Sequence, residues 1–459
     1  MVATATRSYL PWALAATAVG VASALVPSSY AMSIVLGAFS LVVLTVAVYA
    51  VFDRPGRGVL LMLAVLPLDI AGRLIAEPVA VTAFHVSLLL TLAAWAWTWL
   101  RDPEDGRPRF SALDVGIAAL IGAAIWSLPG SLDRATTAVA IVRLVFLWLF
   151  SLSVVTFVRD ERMADSVVAV IVGTAALSSL LALAQYAIPG FPIGSTHVDL
   201  DTGGVVQLRP SAFFEDPNLL ATFLSVAVIA ALAKAIHARR WTHAAKWLVL
   251  AGTCATGLLV TLSRTGMVGV MLGAIVLLLT APRRRRPWLA GAALALGLAV
   301  AVVAPGQIVS RLASVVDIEA DSSIRTRYLM LGSTVEMIRD DWVFGTGLGA
   351  YDRAYPAYRK PGALISITKP HQLPLAIWAE TGIAGLLAEF IIAGGLTWLI
   401  RGRRHRGWNV YEALGVAGLV SVLLQSLFQY YLYFEYLWLF LAFTVAATRF
   451  TRDVEEVPL

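Results

Sequence analysis

Cysteine is almost missing from this 459-residue chain, and charge is scarce: there is one cysteine, Cys254, and only 14% Asp, Glu, Lys and Arg against 59% hydrophobic residues. A lone thiol has no intrachain partner, so no disulfide holds any outer segment together, and its setting in AGTCATGLLV marks it as a packing residue. So little charge cannot solvate the surface of an ordinary soluble domain. The chain also lacks a P-loop, a GxGxxG after a strand, Cys/His zinc spacing and HExxH, which narrows the chemistry. No metal site and no cofactor are expected, and no short repeat or soluble domain is visible.

What is present in quantity is apolar sequence in runs long enough to cross a bilayer, each needing about 20 residues. Spans are expected at about 10–27, 31–52, 58–77, 79–100, 113–128, 136–158, 165–188, 218–236, 245–262, 265–281, 288–304, 374–400, 410–427 and 430–447. The fold class is therefore all-α, a polytopic membrane protein with about 12–14 transmembrane helices and a large exterior loop carrying short helices. The net charge of +6 is a topology signal rather than a mark of nucleic-acid binding, because the basic residues sit between the apolar runs. Arg54 and Arg57, Arg101 to Arg109, Arg159 and Arg162, Arg239 to Lys246, Arg283 to Arg286, Arg401 to Arg406, and Arg449 with Arg452 all fall on one side. By the positive-inside rule that side is the cytoplasm, which places both termini there and turns the loops at about 189–217 and 305–373 outward. The first run resembles a signal peptide around PSSYAMS, and a retained helix is the favoured reading.

Residues able to carry chemistry gather in those two loops. In RPSAFFEDPNLLATFL, Asp216 or Asn218 beside Pro217 reads as a helix start with an interfacial aromatic belt; Arg209 is less easily explained that way. Arg264, in TLSRTGMVGV, lies at the outer boundary between two spans, where it either snorkels to the interface or binds an anion. Arg325 and Arg327, in SSIRTRYLML, are two positions apart, so on a helix at most one faces a given ligand. A planar guanidinium suits bidentate binding of phosphate or diphosphate, and these four arginines share the outer side. His371, just before the long loop re-enters the membrane, has the side chain best matched to taking a proton near neutral pH; a lone histidine is also often incidental. Glu380, nine residues on, falls inside the following helix, where a carboxylate needs a partner or a role. The segment from Arg325 to Trp342 has helical periodicity, FGTGLGAYDRAYPAY reads as a turn with an aromatic surface, and QYYLYFEYLWLF is either an interfacial belt or the lining of a sugar or polyprenyl groove.

In order along the chain, RPSAFFEDPN, LSRTG, SSIRTRY with MIRDDWVFGTGLGAY, and KPHQLPLAIWAETGIAGLL resemble the O-antigen ligase-like family, which includes O-antigen ligases, O-antigen polymerases and protein O-oligosaccharyltransferases. The resemblance covers about residues 205–390. It implies three regions: N-terminal transmembrane helices at 1–188, an O-antigen ligase-like core at 189–400, and C-terminal transmembrane helices at 401–459. DDWVFGTG departs from the family's usual entry into the Gly-rich turn, and about fourteen spans exceed the usual dozen.

The resemblance further implies a metal-independent, inverting glycosyltransferase of the cytoplasmic membrane, with its active site on the periplasmic or exterior side. The donor is a glycan on undecaprenyl diphosphate, and the acceptor is a hydroxyl on a lipid, a glycan or a protein. Arg209, Arg264 and Arg327, with Arg325 second to Arg327, would bind the donor diphosphate. His371 would activate the acceptor and Glu380 matches the acidic residue of the same motif. Membrane lipids are the other partners; nucleic acid is not. A lipid-linked glycan or solute transporter is the alternative of a different class, kept open by Asp69, Arg73 and Arg143 within or near early spans. A structural assembly protein would not need a histidine and several arginines on one face.

Overall fold

A computed structural model describes residues 44–68, 73–75, 81–188, 190–200, 206–238, 240–281, 291, 322–363, 370–401 and 407–450. The expected span at 10–27, that at 288–304 apart from residue 291, and residue Asp69 lie outside the described residues, as do the side chain of Arg73 and Arg283 to Arg286. Apolar helices follow one another: α1 (Leu44–Asp53), α2 (Gly56–Val65), α3 (Ala83–Arg101), α4 (Ala112–Ser127), α5 (Arg134–Phe157), α6 (Glu161–Ala187), α7 (Pro217–His237), α8 (Trp241–Val260) and α9 (Arg264–Thr280). The long loop supplies α10 (Ser322–Asp340) and α11 (Tyr351–Tyr358), and the chain continues through α12 (Leu373–Arg401), α13 (Val410–Ser426) and α14 (Glu435–Ala447). Six of these helices, α3, α5, α6, α7, α8 and α12, are long and apolar enough to cross a membrane. The protein is an all-α, multi-pass membrane protein.

Strands are confined to two small hairpins among the described residues, β1 (Arg73–Ile75) with β2 (Val81–Thr82) and β3 (Ser195–Leu200) with β4 (Val206–Ala212), both antiparallel. Two expected spans are shorter than their apolar runs. The one at 58–77 leaves α-helix after Val65 for a single 3-10 turn through Pro67, whose ring cannot continue a helix, and the chain is a strand by Arg73. The one at 430–447 becomes helical only at Glu435.

Helix α7 is the axis of the bundle. It packs on α6, α8, α9 and α13, and its residues from Leu220 to Ala231 are all fully buried. Its polar residues are matched across the helix interface: Thr222 Oγ donates to Gln425 Oε1 of α13 at 2.7 Å, and Gln425 Nε2 donates to Ser225 Oγ at 3.0 Å. With no water in the hydrocarbon, such groups must satisfy one another. Gly269 of α9 faces this seam; a Cβ there would lie 2.6 Å from Gln425 Nε2 and Ser421 Oγ, so the glycine permits the close approach.

Ion pairs and hydrogen bonds identify the two ends of the bundle. At the basic end Arg159 pairs with Asp105 at 2.6 Å, Lys234 pairs with Asp165, Tyr411 donates to the same Asp165 oxygen at 2.6 Å, and Arg449 reaches the Phe110 carbonyl at 2.7 Å. At the opposite end the hairpin β3–β4 and the α10–α11 segment sit over the helix ends: Leu132 N donates to the Thr346 carbonyl and Leu348 N to Ser127 Oγ, while Arg353 pairs with Asp133 at 3.5 Å.

The aromatic turn expected on the surface is partly buried. Tyr351 and Tyr355 of α11 are each 1% exposed and pack with Met330, Met337 and Ile338 of α10. This unit is clamped to α12 at a break in that helix: Gly382 has φ 65° and ψ −159°, a conformation essentially reserved for glycine. Thr346 N and Gly347 N donate to the carbonyls of Ala379 and Glu380 at 3.0 and 2.9 Å, and a Cβ on Gly382 would collide with the Val343 carbonyl. Gly382→Ala is expected to cost at least about 1–3 kcal/mol of strain before the collision is counted. The control Gly394→Ala, where a Cβ meets nothing within 4 Å, should be neutral or stabilising. Unfolding in detergent by chemical denaturation measures both; equal stabilities would show that the break is not required.

Candidate active site

Arg209 reaches its position through a hairpin pinned to the end of α6. Gln185 accepts from Ala212 N at 3.0 Å and donates to the Ile193 carbonyl at 2.8 Å, while Ser195 and Ser211 hydroxyls bond across the strands at 2.6 Å. From β4 the Arg209 guanidinium donates through Nε to the Thr261 carbonyl at 2.9 Å and through Nη2 to Asn218 Oδ1 at 3.1 Å. It thus ties the hairpin to the start of α7 and to the α8–α9 turn. That turn is tight, with Leu262 at φ 55°.

Asn218 accepts a second bond at the same oxygen from Ser263 Oγ, at 3.0 Å. Ser263 is the N-cap of α9 and places Arg264 as its first residue, half-buried at the same end of the bundle. Asp216 caps α7, its carboxylate accepting from Asn218 N at 2.6 Å, and Pro217 opens the helix where a missing N–H costs nothing. Below this layer, Thr222 Oγ lies 2.7 Å from the Tyr431 hydroxyl, which donates to the Asn218 carbonyl at 3.3 Å. Burial drives the Tyr431 phenol well up, so it stays protonated.

His371 joins this cluster from the other side. Burial drives its imidazole down to about 4 and the Arg327 guanidinium beside it pushes the same way, opposed by Gln429, Asp216 and the Phe428 backbone. The ring is neutral near pH 7. Its Nδ1 is buried with no hydrogen-bond partner among the described residues. The next residue, Gln372, has φ 106°, a strained conformation for a side chain of this kind, at the junction where His371 meets α12.

The two loop arginines separate as two positions on a helix must. Arg327 is half-buried and acts on His371 and Tyr431, whereas Arg325 is exposed with its guanidinium beside Gly362. Glu380 is 1% exposed and does not hold an arginine among the contacts seen: its carboxylate accepts from the Tyr430 hydroxyl at 2.8 Å and from Tyr351 N at 3.3 Å. It fastens α11 and the 428–434 segment to α12.

Arg209, Ser263 and Asp216 are therefore linked by hydrogen bonds around Asn218, with Arg264 next in the chain to Ser263, while Arg327 and Asp216 act electrostatically on His371 and Tyr431. Residues 248–390 match the family model described as O-antigen ligase. Over those residues the chain is similar to that family. The match takes in Arg264, Arg325, Arg327, His371 and Glu380 and begins after Arg209. At family level the likeness supports a membrane glycosyltransferase acting on a lipid-linked glycan and an acceptor. No curated protein matches the chain.

Sequence reasoning did not single out Thr222, Gln425, Gln429 or Tyr431 as part of the site. Gln425 carried a readable signal, an uncharged polar side chain inside an apolar span. Tyr431 was one of several tyrosines in QYYLYFEY, with nothing local to set it apart.

The His371 setting carries a stability consequence. The folded ring takes a proton less readily than the unfolded one, so stability falls as the pH drops from the ordinary value of 6.5 towards 4 and is unaffected by this group above 6.5. Across that window the loss amounts to at most about 3 kcal/mol. Denaturation of wild type and His371→Gln between pH 7.5 and 4.5 should therefore show a shallower acid slope in the variant; parallel slopes would contradict the burial of the ring.

Proposed function

We propose that the protein transfers a glycan from an undecaprenyl-diphosphate-linked donor to an acceptor hydroxyl on the exterior face of the cytoplasmic membrane. The observation carrying this reading is the meeting of Arg327 and His371 with the Arg209–Asn218–Ser263 cluster, within and beside the matched segment.

The donor diphosphate lies against Arg264 and Arg327, with Arg209 fixing the layer that holds them. The polyprenyl tail runs between helices. His371 takes the proton of the acceptor hydroxyl as its oxygen bonds to the anomeric carbon; the bond from that carbon to the diphosphate breaks, and the configuration inverts. The diphosphate leaves with its growing charge met by the guanidinium groups, a role worth about 3–4 kcal/mol per well-placed donor by analogy with oxyanion sites. The energy comes from the donor, so neither nucleotide nor metal is needed.

A neutral imidazole is in the correct form to accept a proton, yet one driven to about 4 is a weak base. Arrival of the diphosphate offsets the field of Arg327 and raises the basicity of His371 while the donor is bound. Glu380, bound to Tyr430 and the Tyr351 backbone, acts as a positioning residue that keeps the loop and α12 in register.

The test is transfer by purified protein from an undecaprenyl-diphosphate oligosaccharide to lipid, glycan and protein acceptors offered separately, which also assigns the branch of the family. His371→Ala should lower kcat by about 10²–10⁴, and Arg327→Ala by about 10²–10³; product NMR should show an inverted anomer, and EDTA should change nothing. If both folded variants keep wild-type rates, the mechanism is wrong. If wild type transfers to no acceptor while vesicles containing it move a lipid-linked glycan, the protein is a transporter.

A further inference from the structure

A second feature at the same end of the bundle takes no part in the cluster above. A cavity of about 510 Å³ opens between α2, α3, α5, the start of α7 and the 430–436 segment. Much of its wall is hydrocarbon, from Leu66, Phe84, Leu89, Val142, Phe146 and Leu219. Leu89 and Val142 are 52% and 53% exposed on helices that the membrane surrounds, so the cavity communicates with lipid.

Into this apolar space projects Arg143. It is the tenth residue of α5, roughly 14 Å along the helix from its first residue. Its guanidinium carbon stands 5.8 Å from the centre of the Tyr433 ring, and it has no ion pair or hydrogen bond to any described residue. An arginine inside a spanning helix, facing a cavity and with no carboxylate within ion-pair distance among the described residues, marks a site for an anion. Two further donors share the cavity. The Tyr433 hydroxyl is buried on the cavity wall beside the Tyr430 hydroxyl, whose own proton goes to Glu380. His85 Nδ1 accepts from Thr82 N at 3.2 Å, which leaves Nε2–H as the donor of a neutral ring.

Guanidinium, phenol and imidazole N–H within one apolar wall match a phosphate attached to hydrocarbon. Glu215 and Glu435 also line the cavity, and their carboxylates suit a headgroup whose outer part donates hydrogen bonds. We infer that the cavity binds a membrane phosphate lipid with a hydroxyl-bearing headgroup, its phosphate on Arg143, Tyr433 and His85 and its chains along the α3–α5 wall. Tyr430 lines this cavity, while its neighbours Gln429 and Tyr431 face the His371 cluster. On the transfer reading above, the hydroxyls of such a lipid stand next to the proton acceptor; the binding itself does not depend on that reading.

The test is binding to the full chain in nonionic detergent, by native mass spectrometry and by titration, with dioctanoyl phosphatidylglycerol, uncharged dioctanoylglycerol and inorganic phosphate as probes. Wild type should prefer the phosphate lipid to the uncharged one by at least about ten-fold and should not be competed by inorganic phosphate at equal concentration. Arg143→Gln should lose the preference. Leu89→Trp, which fills the cavity from an exposed position, should weaken both lipids whatever becomes of the Arg143 variant. A preference that survives Arg143→Gln, undiminished binding in Leu89→Trp, or competition by inorganic phosphate equal to that of the lipid would each overturn the assignment. Because binding is read without turnover, a protein that binds the lipid but transfers no glycan refutes the transfer reading and leaves this one standing.

Discussion

Inside a bilayer a polar group can bond only to its own chain or its neighbours, and this constraint organises the molecule from the axis outward. Helix α7 is sheathed on all sides, so Thr222 and Ser225 have to be answered by Gln425 and Ser421 of α13. The same polar seam continues upward through Tyr431 to the Asn218 carbonyl and on to Arg209. The candidate site is in this sense the water-facing end of a column of mutually satisfied polar groups. Its residues come from separate segments because each must reach the top of one column.

Charge is handled differently at the two ends. At the basic end the arginines and lysines are spent on loop carboxylates and carbonyls, as with Arg159 on Asp105 and Lys234 on Asp165. At the other end Arg353 likewise pairs with Asp133, but Arg209 bonds to the Asn218 amide and the Thr261 carbonyl, and Arg327 stands beside His371.

Much of this was legible in the sequence. The apolar runs specify helices because length and composition alone decide what spans, and nine of the expected spans have a described helix within a few residues of their bounds. The exceptions have local causes: Pro67 ends α2 early, and the tyrosine-rich stretch before Glu435 stays irregular to deliver Tyr430 and Tyr431 to separate partners. Arg264, Arg327 and His371 stood out because charge is rare here. The difference between Arg325 and Arg327 followed from helix geometry, with the exposed and half-buried members fixed by packing. The task of Glu380 was not readable, since its partners Tyr430 and Tyr351 lie fifty and twenty-nine residues away and meet it only through the folded turn. Nor was the cavity around Arg143, whose walls come from five distant segments.

The break in α12 at Gly382 joins two parts that a sequence reading would treat as independent, an extramembrane loop and a spanning helix. Since the backbone of the Gly-rich turn bonds to the carbonyls of Ala379 and Glu380, the loop and the first two turns of α12 form one mechanical piece. His371 is mounted on that piece. Lateral pressure on α12 from the surrounding lipid is therefore transmitted to the imidazole directly, which makes the geometry of this site sensitive to the thickness and packing of the membrane that holds it.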